Sequence, residues 1–214
     1  MKSGKSILVG LFVFWAAGIA ASNSEAAGKV GKMRSSEGWR EARGPTKNLA
    51  RAESAPIKNF ARVERNFYRG GELNRDRQFD FLSSQGVKTI ISLVEPDEMS
   101  PSRERHAARK HGMEYYNFPM NNVDGPSDSQ VRQILSLIQK NLEGGVFIHC
   151  AQGLDRTGAL VALFQIECRG VPAEKAYDAM MDFGADPRTA SVHYVEDRYG
   201  LHVGHHSRHN SSHH

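Results

Sequence analysis

From about residue 60 onward the chain alternates short apolar runs with longer stretches whose apolar residues recur at helical spacing. Val87 to Val94 is apolar and β-branched, and Met113 to Phe118 and Val146 to His149 are similar runs. Each reads as a strand. Asp76 to Gln85, Pro101 to His111, Ser127 to Leu142 and Thr157 to Arg169 read as helices. Ser127 with Gln130 makes a capping box, and Ile134, Leu135, Leu137 and Ile138 form the apolar stripe behind it. Gly170 closes one helix and Pro172 opens the next. The helix from Thr157 is apolar nearly all round, which predicts a central, buried place. Such alternation predicts an α/β fold: a mainly parallel central sheet with helices on both faces, in a single domain.

The ends differ in character. Lys2 and Lys5 precede an apolar run from Ile7 to Ala20, followed by small residues such as Ser22, Ala26 and Ala27. That run is shorter than the roughly 20 residues a membrane span requires and suits the core of a signal peptide. Residues 1–27 are thus expected to direct export to the periplasm or beyond, leaving no membrane span after removal. Residues 28–58 are poor in large apolar groups. From Lys29 to Arg77 thirteen Lys and Arg face six Asp and Glu. This arm is either solvated or a basic surface that draws polyanionic substrates, and Trp39 suggests that part of it packs on the domain. The folded domain is expected over 59–200. Six of the ten histidines fall in the tail 201–214, read as hydrophilic and disordered, with adventitious affinity for nickel or zinc. Nothing here points to a nucleic-acid partner.

The two cysteines, Cys150 and Cys168, are too few for a disulfide scaffold. On a helix from Thr157, Cys168 lies roughly 17 Å along the axis, against the ~7 Å that a disulfide permits. Cys168 is read as a small apolar core residue.

The run His149-Cys150-Ala151-Gln152-Gly153-Leu154-Asp155-Arg156-Thr157-Gly158 carries the chemistry. A strand leads into it and a helix leads out, so loop amides and a helix's positive end converge on one point. A thiol there is favoured as thiolate and is open to reversible oxidation. The Arg156 fork can hold two oxygens at once, which lysine cannot. Gly153 allows tight curvature, and the amides of Ala151, Gln152, Gly153, Leu154, Asp155 and Arg156 complete a cradle. The arrangement fits a dianionic phosphoryl group beside a nucleophile.

This Cys-x5-Arg run, followed by Thr-Gly and preceded by His, resembles the signature loop of the cysteine-dependent phosphatases. That superfamily comprises the protein-tyrosine and dual-specificity phosphatases and the phosphatases of phosphoinositides and inositol polyphosphates. Phe67-Tyr68-Arg69-Gly70-Gly71, the run Gly86 to Leu93 and the run Ala176 to Met181 resemble its bacterial dual-specificity-like branch. The resemblance implies a protein-tyrosine-phosphatase-like fold and hydrolysis of phosphomonoesters through a phosphocysteine, with neither metal nor cofactor. It makes Cys150 the nucleophile and Arg156 the binder of equatorial oxygens, with residues 151–157 around the substrate. Thr157 is expected to donate its hydroxyl to the Cys150 sulfur, and His149 to orient the loop.

The resemblance also places a general acid in the loop Pro119 to Pro126. Asp124 is the choice there. Asp128 is the alternative, although an acid in a first helical turn already has a structural reason. The Trp-Pro-Asp run of the tyrosine-specific members is absent. Asp155 resembles the Asp-Arg-Thr-Gly loops of bacterial members, some of which accept phosphoinositides; it either faces the pocket rim or ties down the loop. Arg69 either meets a second phosphate or pairs with a core carboxylate. Glu95 and Asp97 line the mouth or are simply solvated. An exported enzyme with a basic flank fits inositol polyphosphates, similar to the tyrosine-phosphatase-like phytases. Phosphoproteins are the alternative substrate, and a silent phosphate-binding module is a third reading.

Overall fold

The computed structural model of the chain describes residues 52, 54–98, 100–121 and 123–201. The expected signal peptide, the basic arm through residue 51 with Trp39, and the tail from residue 202 lie outside the described residues. The elements are β1 (Ala61–Glu64), β2 (Phe67–Gly70), α1 (Asp76–Ser84), β3 (Thr89–Ser92), α2 (Pro101–Lys110) and β4 (Glu114–Asn117). They continue with α3 (Asp128–Asn141), β5 (Val146–His149), α4 (Asp155–Arg169), α5 (Ala173–Asp182) and α6 (Ala190–Tyr199).

The strands form one sheet in the order β1-β2-β5-β3-β4. Pairing is parallel throughout except for β1, which runs antiparallel to β2 at one edge. β5 is central, and His149 at its end stands level with Gly70 of β2 and Ser92 of β3. Three parallel strands therefore stop together, and the chain leaving β5 enters the crevice beyond their carboxyl ends, where such sheets bind ligands.

Alternation along the strands divides the core between the two faces. Phe67, Ile91, Val146, Ile148 and Cys150 join the buried side chains of α3, α4, α5 and α6. Tyr68, Ile90 and Phe147 face the other way, with Phe79, Leu82, Ala108 and Met113. In α4 every residue from Arg156 to Gln165 is buried, as its all-round apolar sequence requires. Each large apolar side chain so placed contributes about 1.5–3 kcal/mol, so the helix that holds the loop's far end is the best-anchored one in the domain. The Ser127–Gln130 capping box forms at α3, and Ile134, Leu135 and Ile138 are buried there, with Leu137 at the margin of the core.

Three features depart from the sequence reading. β1 was not foreseen, because Ala-Arg-Val-Glu has neither length nor a full apolar face and is held by pairing to β2 across a register shift. α6 was also missed; its buried Ser191, Val192 and Val195 reach the core from a largely polar helix. α4 begins at Asp155 rather than Thr157. An acidic residue at the first helical position suits the helix dipole, and the Asp155 carboxylate also accepts the Asp186 amide at 2.7 Å.

Candidate active site

The loop between β5 and α4 has its backbone carbonyls turned outward, each toward a donor. Cys150 O faces the His149 ring at 3.4 Å, and Ala151 O accepts from the Glu72 amide at 3.3 Å. Gln152 O accepts from Asn59 Nδ2 at 2.9 Å. Arg69 donates to Gly153 O at 2.7 Å and to Leu154 O at 3.3 Å. Across a planar trans peptide the next N–H points opposite to the carbonyl, so the amides of residues 151–155 are turned toward the loop's interior. The Gly153 amide lies 3.2 Å from Cys150 Sγ. The first turn of α4 has no side-chain cap and adds its own unsatisfied amides. This loop is a concave ring of N–H dipoles with a sulfur at its base.

Gly153 makes the curvature possible. Its φ is +75°, and a Cβ built there would lie 2.4 Å from the backbone of Gly70, so no other residue fits. Arg69, for which the sequence offered a second phosphate or a core carboxylate, donates to the carbonyls of the loop itself. Its buried guanidinium braces the loop from behind while lying 3.9 Å over the Phe183 ring. Asp155 likewise ties the loop down, through the Asp186 amide.

Arg156 is 3 % exposed, and its donors are apportioned. Nη1 donates to Glu98 Oε2 at 2.6 Å and Met120 O at 2.9 Å, with Leu93 O at 3.4 Å, while Nη2 donates to Glu98 Oε1 at 2.7 Å. Among the described residues Nε has no partner. Nε and the second Nη2 hydrogen lie on one edge of the planar group and form a parallel fork. Glu98 thus grips one edge of the guanidinium and leaves the opposite edge to a second anion. Burial by itself would lower the Arg156 pKa; the Glu98 hydrogen bonds and the Cys150 sulfur outweigh it and raise it. The same hydrogen bonds hold the Glu98 carboxyl below its ordinary value of 4.5. The clamp's contribution to stability is therefore complete above that ordinary value and is lost as pH falls through the lower one of the folded state.

Other expected residues fall in different places. Asp124 is exposed in the loop before α3; Oδ2 accepts from Asn121 Nδ2 at 2.9 Å, and its amide donates to Asn121 Oδ1 at 2.7 Å. The base of that loop is fastened to Arg156 through Met120 O. Asp128 is occupied elsewhere, accepting from the Tyr194 hydroxyl and from Arg198 at 2.9 Å in a tie between α3 and α6. Those partners, Tyr194 first, lower its pKa. The Thr157 hydroxyl is buried without a hydrogen bond among the described residues, so the expected bond to the Cys150 sulfur is not formed; the Gly153 amide takes that part. Asp97 is exposed, and Glu95 contributes its backbone amide to Glu98 at 3.0 Å. Both cysteines are free, and Cys168 lies half-buried at the margin of the core, where burial raises its thiol pKa.

Glu98, Asn59, Glu72 and Lys58 escaped the sequence reading. Lys58 Nζ donates to the Gln152 side chain at the loop's outer face. None has a spacing signal, because each reaches the loop from another part of the chain. Among the described residues no group of His, Cys, Asp and Glu is arranged to hold a metal ion, and no helix is long and apolar enough to cross a membrane.

Residues 48–193 match the model of a family described as DSP-PTPase phosphatase fused to NAD+ kinase. The chain belongs to this phosphatase family. It is similar to inositol diphosphatase DSP4 of Arabidopsis thaliana, 32% identical over half of this chain and 54% of the relative. It also resembles the dual specificity protein phosphatase TpbA of Pseudomonas aeruginosa, at 27% identity over 64% of this chain and 62% of that one. The chain thus spans little more than half the length of these relatives. Among solved structures, TpbA superposes with a TM-score of 0.58 at 22% identity, covering 75% of this chain and all of that one. The core catalytic domain of the PP-IP phosphatase SIW14 of S. cerevisiae gives 0.56 at 23%, covering 66% and 85%. The expected protein-tyrosine-phosphatase-like fold is the one observed.

Proposed function

We propose that this phosphatase-family chain hydrolyses phosphomonoesters in two steps, most readily on inositol polyphosphates. One observation carries the chemistry. The outward carbonyls of residues 150–154 turn a ring of amides onto Cys150, and Arg156 Nε is left without a partner among the described residues. Three equatorial oxygens of a transferring phosphoryl group would meet donors already in position, the most effective kind of transition-state stabilisation. The Cys150 thiolate attacks phosphorus, the P–O bond to the leaving group breaks, and Asp124 supplies a proton to the departing oxygen. Water then attacks the phosphocysteine, the Asp124 carboxylate takes its proton, and the S–P bond breaks to release inorganic phosphate and the thiolate.

Asp124 is assigned the acid because Asp128 is held by Tyr194 and Arg198. Its Asn121 contacts are local to a loop with Gly125 and Pro126, which suits closure over bound substrate. Asp124→Asn is expected to lower kcat about a hundredfold on an alkyl phosphate. The loss should be much smaller on an aryl phosphate with an acidic leaving group, while Asp128→Asn leaves both near the parent. Steady-state kinetics on the two esters checks this, and equal losses on both would remove Asp124 from the role.

The substrate class rests on two supports: the inositol diphosphatase and PP-IP phosphatase relatives, and the basic segment Lys29 to Arg77, whose Lys58 stands against the catalytic loop. The resemblance to TpbA, solved with phosphotyrosine, favours the second reading, a protein-tyrosine or dual-specificity phosphatase. Comparison of kcat/KM on inositol hexakisphosphate and on phosphotyrosyl peptides separates them. A tenfold preference for the peptides ends the inositol reading. We place the reaction outside the cytoplasm, after loss of residues 1–27 as an export signal.

A further inference from the structure

Behind the nucleophile lies a buried polar chain that the two-step chemistry does not call on. Glu104 of α2 and His149 of β5 are both wholly buried, with Glu104 Oε1 3.0 Å from His149 Nε2. The two atoms approach closely without forming a hydrogen bond of good geometry. The other Glu104 oxygen accepts from the Tyr115 hydroxyl of β4 at 2.9 Å. On its far edge the His149 ring has Nδ1 3.4 Å from the Cys150 carbonyl oxygen. Phe147 stacks on the ring, centroids 5.5 Å apart and planes within 16°.

Building on the phosphatase reading, we infer that Glu104 and Tyr115 are positioning residues for the nucleophile, acting through His149 on the Cys150 peptide. Both edges of the imidazole face oxygen atoms, the Glu104 carboxylate at 3.0 Å and the Cys150 carbonyl at 3.4 Å. With its ring fixed on three sides, His149 keeps the Cys150 carbonyl turned outward, and the Ala151 amide consequently points in toward the sulfur. Apolar side chains of like volume fill such a space without loss of stability, so packing alone gives no reason for a carboxylate and an imidazole here. Burial first, and then the Glu104 charge, keep the Tyr115 phenol above its ordinary range and therefore a donor.

Among the described residues, the charged and titratable groups near this chain include Glu104, Arg103 and Arg105 on α2, Arg75 and Asp76 at the start of α1, Tyr115 on β4, Cys150 itself, Arg69 on β2, Arg156 on α4, and Glu98 on the segment before α2. Glu104→Gln keeps the shape and the tyrosine contact while removing the charge. Tyr115→Phe removes only the hydroxyl.

The test reads Cys150 directly. Alkylation by iodoacetamide is followed against pH by mass spectrometry of the Cys150 peptide, together with kcat and KM on an aryl phosphate. Glu104→Gln is expected to move the alkylation midpoint up by about one pH unit, a tenfold loss of thiolate below it. A matching fall in kcat should leave KM nearly unchanged. Tyr115→Phe should move both in the same direction by less, and it carries the test if the glutamine variant does not fold. A purely structural role lowers the melting temperature yet leaves the midpoint in place, and that outcome overturns the inference. Should the parent turn over no phosphate ester while the midpoint still moves, the phosphatase reading falls and the positioning role stands.

Discussion

Cys150→Ser is expected to abolish turnover on every phosphate ester while leaving substrate binding intact. A serine hydroxyl at the base of the loop is a far weaker nucleophile than a thiolate, and an alkoxide would be a poor group to expel in the second step. We expect kcat to fall at least about a thousandfold, the scale on which removal of a covalent nucleophile acts. The fold should persist, since serine is smaller than the cysteine it replaces and the Gly153 amide, 3.2 Å from the sulfur, can donate to oxygen instead. The outward carbonyls are held by Glu72, Asn59 and Arg69, none of which touches the sulfur's substitution. Calorimetric titration of the serine variant with inositol hexakisphosphate and with a phosphotyrosyl peptide would then report affinity without turnover. A serine variant that runs at the parent rate would remove Cys150 from the chemistry altogether.

How much of this was legible before the structure depends on how local each interaction is. The strand Val146–His149 and the helix after it are contiguous with the catalytic run, and their periodicity located both. The capping box at Ser127 was equally local, three residues from end to end. Glu98 was not legible, because its meaning lies in a guanidinium 58 positions further along. Asn59 reaches Gln152 across 93 positions, and such pairings leave no trace in the spacing of one chain. Asp155 was ambiguous for the same reason: its partner is the backbone amide of Asp186, and an amide has no sequence signature. Glu104 is the instructive case, since a signal did exist. It shares with Ala107 and Ala108 the inward stripe of α2, and an acidic residue on an otherwise apolar stripe points to a buried partner. β1 shows the limit from the other side. Its four residues gain their structure from β2, not from their own pattern.

Arg156→Lys is expected to be nearly as damaging as loss of the nucleophile, and by a separable route. The ammonium is a point charge without a fork, so it cannot hold Glu98 on one side and two phosphoryl oxygens on the other. Removing one preorganised donor to a developing anion costs about 10²–10³ in rate; here two are lost, so kcat/KM should fall by about 10³ or more. The Glu98 carboxylate, 28 % exposed, would also lose its bidentate partner. Met120 O would lose its donor and Leu93 O would keep only the Met120 amide, loosening the base of the segment that carries Asp124. Thermal unfolding of Arg156→Lys should therefore show a lowered midpoint as well as lost activity. The double variant Arg156→Lys with Glu98→Gln separates the two effects. Neutralising the stranded carboxylate should recover much of the stability, yet none of the activity, because the fork is still missing. If the lysine enzyme instead kept its kcat/KM within tenfold of the parent, the oxygen-binding edge would not be the one that Glu98 leaves open.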